Sequence, residues 1–233
     1  MRDAPGPGPD GPVPPGRWTV QRHDGDPGAF HERVPAAGSD RLLWLLRPDR
    51  PALVLGSAQR DDAVDRDLAR RWGVDVVRRR SGGSAVLLEP GAVVWADLVI
   101  ARHDPLWHDD IGRATWWVGR LWQQALAALG IDAAVHRGPM RHGPHSDRIC
   151  FAGLGPGEVV VDGRKVVGIS QRRTREFARF QTAVLLRWDP DRLAVLCGLD
   201  PAGPDGPALR DVAAGIGADL DEVEAALVAA LPT

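Results

Sequence analysis

Apolar residues run along this chain in short blocks, and most of the blocks have the length of a buried strand. Residues 41–47 (Arg-Leu-Leu-Trp-Leu-Leu-Arg) and 52–56 predict two such strands, separated by a turn through Pro48 and Pro51. A short helix is expected over 61–72 and a strand over 74–79. The tight loop Ser81-Gly82-Gly83-Ser84 follows, with further strands near 85–88 and 92–100. Strands clustered in this way favour a mixed sheet over a helical bundle. Residues 111–129 predict the best-defined helix, because Val118, Leu121, Trp122, Ala125, Leu126 and Leu129 share one face, and Gly130 ends it. That stripe puts its tryptophans in a core rather than on a base-stacking platform.

Residues 133–146, rich in His, Arg, Pro and Gly, read as a mobile surface loop. Asp162-Gly163 between apolar runs at 159–161 and 164–167 is a hairpin signal of the type I′ turn. A last strand is expected over 182–186. Beyond Asp189 come short helical stretches, including Leu220, Val223, Leu227 and Leu231 at helical spacing, after a Pro/Gly linker over 201–207. The expected organisation is a disordered Pro/Gly-rich leader at 1–16, a catalytic domain at 17–190 and a short helical C-terminal extension at 191–233.

With 233 residues the chain can bury a sizeable core, and a net charge of −2 argues against general affinity for nucleic acid or anionic membrane. No apolar run approaches the roughly 20 residues of a membrane span, and no secretory signal pattern opens the chain, so a cytoplasmic protein is expected. Cys150 and Cys197 do not make a disulfide framework and are expected as free thiols. His136, His142, His145 and Cys150 carry metal-ligating atoms, but their spacing matches no zinc pattern, and no metal is expected.

Of 29 basic side chains, only Lys165 is a lysine. In a composition that uses arginine wherever either will serve, a retained lysine marks a place that needs a compact ammonium rather than a planar guanidinium. A hairpin arm separates it from Cys150. If the chain returns, the ammonium would lie near the thiol and favour the thiolate, making Cys150 a candidate nucleophile; otherwise Cys150 is a small buried apolar residue. Cys197 has no such company and reads as structural. The strand that ends in Arg79 and opens into Ser81, Gly82, Gly83 and Ser84 lets backbone N–H groups and a guanidinium approach an anionic ligand.

Three segments together, Arg78-Arg79-Arg80-Ser81-Gly82-Gly83-Ser84-Ala85-Val86, Cys150-Phe151-Ala152 and Gly163-Arg164-Lys165-Val166-Val167-Gly168-Ile169-Ser170-Gln171, resemble the lipoate-protein ligase family. That group also contains biotin-protein ligases and octanoyltransferases. The resemblance implies an α/β fold of the α+β type, a mixed, largely antiparallel sheet flanked by helices. It implies that Arg79, Ser81, Gly82, Gly83, Ser84, Ala85, Val86 and Leu87 line the acyl or acyl-adenylate site with Gly168 and Ser170, and that Lys165 holds the acyl oxygen. Cys-Phe-Ala at Cys150 resembles the octanoyltransferases that act through a cysteine thioester. Such an enzyme takes octanoate from acyl carrier protein and passes it to a lysine of a lipoyl domain, on a 2-oxoacid dehydrogenase E2 or glycine cleavage H protein, with no cofactor. The alternative is a ligase that uses ATP and Mg²⁺ to activate lipoate.

The sequence departs from the family pattern in four places. Ser84 stands for a third glycine, Leu88-Glu89 for a His-Asp pair, Ala92 for an asparagine, and Gln181-Thr182 near an expected His-Gly. These departures leave a divergent, non-catalytic acyl or lipoyl-domain binder as a third reading.

Overall fold

The computed structural model describes residues 16–36 and 38–232. The expected leader therefore lies, as far as Pro15, outside the described residues. Seven strands form the large sheet in the order β1 (Trp18–Gly25), β2 (Arg41–Pro48), β6 (Val93–Ala101), β10 (Phe177–Leu185), β9 (Arg164–Arg173), β8 (Val159–Val161) and β7 (Ala134–Val135). Only β1 and β2 run parallel; every other pair is antiparallel. In the small sheet, β3 (Ala52–Leu55) lies between β4 (Asp75–Arg78), parallel to it, and β5 (Val86–Leu88), antiparallel.

Period-two alternation builds the layers. Leu43 and Leu45 face outward from the large sheet into a core with Val118, Leu121 and Trp122 of α3 (Trp116–Ala128) and Val223 and Leu227 of α6 (Leu220–Ala230). Leu42, Trp44 and Leu46 face the other way and meet Ala52 and Val54 of the small sheet. Leu53 and Leu55, on the far face of that sheet, pack with α2 (Arg66–Arg71), α4 (Asp191–Leu196) and α5 (Asp205–Val212) through Ala69, Leu193 and Leu209. The C-terminal helical segment thus supplies both outer covers. The turn after β2 carries the chain from one layer to the other, so two strands adjacent in sequence belong to different sheets.

Several boundaries differ from the patterned expectation. The helix expected over 61–72 is a 3₁₀ turn at Asp61–Ala63 and then α2, whose start Asp65 caps by accepting from the Leu68 N–H. α3 begins at Trp116, after a 3₁₀ turn, rather than at Ile111. Residues 133–146 are not wholly loop, since β7 pairs with β8 at the sheet edge. β9 and β10 run longer than their apolar cores because Ser170, Gln171, Arg172, Arg179 and Gln181 continue the ladder with polar side chains. β1 and α1 (Pro27–Glu32) had no expectation; β1 alternates between half-buried and exposed positions and has no apolar block. The hairpin signal holds, with φ of 48° at Asp162 and 77° at Gly163.

Candidate active site

The site lies between the two sheets. Cys150 opens a 3₁₀ turn, Cys150–Ala152, and main-chain bonds to the small sheet fix its position: Ala85 N–H donates to Arg148 O and Cys150 N–H to Ala85 O, both at 2.9 Å. Ala85 therefore positions the cysteine through its backbone. Its side chain and that of Leu87 point away from the site, into the core under α2 and α4. That corrects the expectation that Ala85 and Leu87 face the acyl group; alternation along β5 presents Val86 and Leu88 instead.

Two spaces meet at Cys150. One is a narrow, largely apolar cavity of about 50 Å³, walled by Val54, Val86, Leu88, Trp95, Phe151 and Ala183, with Gly168 and Ser170 on β9. The other is a wider cleft of about 290 Å³ bounded by Gly82, Gly83, Ser84, Glu158, Lys165 and Gln171. Cys150 and Ser170 border both. Gly168 makes room for this junction, since a Cβ there would meet the Phe151 ring at 3.1 Å.

Lys165 is 3% exposed, and its ammonium is surrounded by oxygens. It lies 2.7 Å from Glu158 Oε2 and donates to Cys150 O and Gly153 O, each at 3.0 Å. These are three acceptors for the three ammonium protons. Glu158 is equally buried and also accepts from Gly155 N at 2.6 Å and Ile169 N at 3.0 Å. Strict alternation would place Lys165 on the face opposite Gly168. The register between β8 and β9 shifts by one at Val159 and Val160, a β-bulge, and Lys165 Cε lies 3.4 Å from the Cβ direction of Gly168, on its face of the sheet.

Arg79 is 4% exposed and holds the glycine loop together. Its Nε and Nη2 donate to Gly82 O at 3.1 and 2.9 Å, and Nη2 also to Ser84 O at 2.9 Å. Arg79 and Cys150 both line the narrow cavity. Gly56 permits this loop, because a Cβ there would lie 1.7 Å from Gly83 O. Ser84 Oγ donates to Ser146 O, tying the loop to the segment before Cys150.

Behind the cavity runs a buried polar chain. Ser81 Oγ bonds Ser170 Oγ at 2.9 Å and donates to Gln181 Oε1 at 2.7 Å, and Gln181 Nε2 lies 3.1 Å from His31 Nδ1. His31 rests on Trp95, ring centroids 4.6 Å apart, and burial together with Arg179 and Arg79 pushes its imidazole down to about 3. Arg179 fastens α1 in place, donating to Phe30 O at 2.7 Å and Arg33 O at 2.9 Å while pairing with the fully buried Asp97.

The expected site residues Cys150, Lys165, Arg79, Ser81, Gly82, Gly83, Ser84, Val86, Gly168 and Ser170 all gather here. Glu158 and His31 join them without an expectation, and so does Gln181, which the pattern marks only as a departure from the family. A lone carboxylate after Gly155-Pro156-Gly157 and ahead of an apolar strand was the available signal for Glu158; His31 had none. Among the described residues no cluster of metal-ligating side chains occurs.

The chain matches the family described as the lipoyl protein ligase A/B catalytic domain over residues 28–202. It belongs to this family. Among its curated relatives, the octanoyltransferase LipM of Carboxydothermus hydrogenoformans is 30% identical over 62% of this chain and 52% of its own length. That of Kyrpidia tusciae is 31% identical over 65% and 56%. The chain thus spans about half the length of the curated relatives it matches. The fold is that of lipoate-protein ligases. A bipartite ligase from Thermoplasma acidophilum, described with its E2 lipoyl domain, superposes with a TM-score of 0.69 at 19% identity, covering 93% of this chain and 82% of that one. A lipoate-protein ligase A bound with ATP gives 0.67 at 20%, covering 93% and 83%. At the position of the family's His-Asp pair, this lipoyl ligase A/B domain has Leu88 in the cavity wall and Glu89 paired with Arg192 of α4.

Proposed function

We propose that the protein moves an octanoyl group from acyl carrier protein to a lysine of a lipoyl domain through a thioester on Cys150. The observation that carries this reading is the place of Cys150, where the narrow apolar cavity meets the wider cleft that Glu158, Lys165 and Gln171 border. The apolar walls of the first match the chemistry of an acyl tail, and the second is wide enough for a thin arm, the thiol arm of the donor or the lysine of the acceptor. Burying the tail contributes about 0.8 kcal/mol per methylene, and a substrate shorter by several carbons loses that much for each.

In the first half-reaction the Cys150 thiolate attacks the carbonyl carbon of the donor thioester. A new C–S bond forms, the donor C–S bond breaks, and the donor sulfur leaves and takes a proton from water. In the second, the neutral amine of the lipoyl-domain lysine attacks the Cys150 thioester. A C–N bond forms, the C–S bond breaks, the amine proton passes to water, and the cysteine thiolate is restored. No cofactor enters either step. Gly82, Gly83 and Ser84 line the same cleft as Cys150 and would lie beside the arriving carbonyl group.

The LipM relatives support the transferase, and the neighbour described with its E2 lipoyl domain supports a lipoyl-domain acceptor. A glycine cleavage H protein would present the same lysine. We place the reaction in the cytoplasm, where both cysteines stay reduced. The second reading is a ligase that joins lipoate to the lysine through lipoyl-adenylate with ATP and Mg²⁺; the size of the cleft and its place beside the glycine loop favour it.

Intact mass spectrometry of a purified lipoyl domain separates the two. An octanoyl gain from octanoyl-acyl carrier protein without ATP, with an octanoyl adduct on Cys150 and loss of both in Cys150→Ser, is expected. A lipoyl gain only with lipoate and Mg-ATP, surviving Cys150→Ser, would establish the ligase, and no gain in either would leave a binder.

A further inference from the structure

The solitary lysine was expected to supply the positive charge beside the thiol, but its three protons go to Glu158 Oε2, Cys150 O and Gly153 O. The Glu158 carboxylate also neutralises it. Lys165 and Glu158 therefore form a closed pair, and the ammonium acts on Cys150 by holding the carbonyls of its turn.

Arg79 is in the opposite situation. It is as buried as Lys165, and its hydrogen bonds go to neutral main-chain oxygens, those of Val54, Gly82 and Ser84. A buried guanidinium held by carbonyls alone keeps most of the cost of leaving water, and an anion beside it offsets that cost. One point of the glycine loop shows what the anion would be. A Cβ built on Gly83 would stand 2.7 Å from Arg79 Nη2 and 3.7 Å from Cys150 Sγ, so the guanidinium and the sulfur flank the same spot. Burial pushes the guanidinium down from its ordinary value, Cys150 pushes it back most, and Glu158 adds a smaller pull in the same direction.

We infer that Arg79 is the counter-ion of the Cys150 thiolate, and that Lys165 is a positioning residue for the turn that carries it. The inference deepens the transferase reading and rests on it for its purpose. Each half-reaction begins or ends with a sulfur anion, and Arg79 stabilises that anion where the acyl group arrives and leaves. The glycine loop is then also a device for delivering a charge: Gly56 and Gly83 let the Arg79 side chain pass under the loop to the thiol, with Gly83 at φ of 95°.

The test is the rate of iodoacetamide alkylation of Cys150 at pH 7, read by peptide mapping with no acyl donor present. Its failure is thus distinct from failure of octanoyl transfer. Cys197 is an internal check on folding, because burial raises its thiol to about 12 and it stays unlabelled while the core is intact. Arg79→Gln is expected to slow labelling at least about tenfold, because the thiolate loses its charge partner. Arg79→Lys, which keeps the charge, should stay within about threefold of wild type, and Lys165→Met should slow labelling less than Arg79→Gln does. Should Arg79→Gln unfold, shown by labelling of Cys197, Gly83→Ala serves in its place. Its methyl group enters an exposed loop at the point where guanidinium and sulfur meet, and it should slow labelling with Cys197 still protected. Labelling of folded Arg79→Gln or Gly83→Ala at the wild-type rate, or a larger loss in Lys165→Met than in the Arg79 variants, would overturn the inference.

Discussion

Removing one member of the Lys165–Glu158 pair is expected to cost more than almost any other polar substitution in the chain. Both side chains are nearly inaccessible, at 3% and 5%. In Glu158→Gln the ammonium keeps two neutral carbonyls but loses its anion. The amide –NH₂ must also confront Gly155 N–H, Ile169 N–H or the ammonium itself, all of which are donors. Leaving a buried charge without its partner typically costs about 3–5 kcal/mol, a large share of the roughly 5–15 kcal/mol that holds a domain together. Lys165→Met leaves the carboxylate with two amide donors and should cost somewhat less, about 3 kcal/mol. In Lys165→Met/Glu158→Gln neither charge remains, so the double variant should be at least about 2 kcal/mol more stable than additivity of the two singles allows. Urea denaturation of the four proteins gives these values directly. Lys165→Arg should also fail, since three acceptors converge on one nitrogen at 2.7–3.0 Å and a planar fork spreads its donors. A loss of under about 1 kcal/mol in Glu158→Gln, or strictly additive singles, would refute the reasoning.

Acid should act through His31. Its imidazole, near 6.5 when unfolded, is held at about 3 in the fold. Below pH 6.5 only the unfolded state takes up the proton, so stability present above that pH is lost as pH falls toward 3. Between pH 7 and pH 5 this group contributes a loss of about 2 kcal/mol, and His31→Gln should show correspondingly less destabilisation over that interval in paired urea titrations. The same pH sensitivity in His31→Gln as in wild type would remove His31 as the cause. Gly56→Ala should displace the glycine loop, because the new Cβ would lie 1.7 Å from Gly83 O, which is backbone and cannot turn aside. Octanoyl transfer by this variant should fall at least about tenfold with the far-ultraviolet circular dichroism unchanged; wild-type transfer would show that the loop accommodates the methyl.

Much of this architecture was legible in the order of residues because its causes are local. Leu42 to Leu46 alternate between two cores, Asp162-Gly163 must turn, and the stripe from Val118 to Leu126 must bury one helix face, so the sheet class and the longest helix followed from pattern. Short motifs likewise brought Arg79, the glycine loop, Cys150 and Lys165 into view as one group. The retained lysine stands where three oxygens converge on one ammonium, yet its partner was not legible. Glu158 meets Lys165 only through a one-residue bulge between β8 and β9, which transfers the side chain to the face of Gly168, and periodicity has no term for a bulge. His31 reaches the cavity because the Asp97–Arg179 pair, on two neighbouring strands far apart in sequence, holds the carbonyls of α1. Which cation faces the Cys150 sulfur was decided the same way. Both candidates stand near it in the folded protein, and only the three-dimensional count of acceptors around each shows that Lys165 is already neutralised while Arg79 is held by main-chain carbonyls.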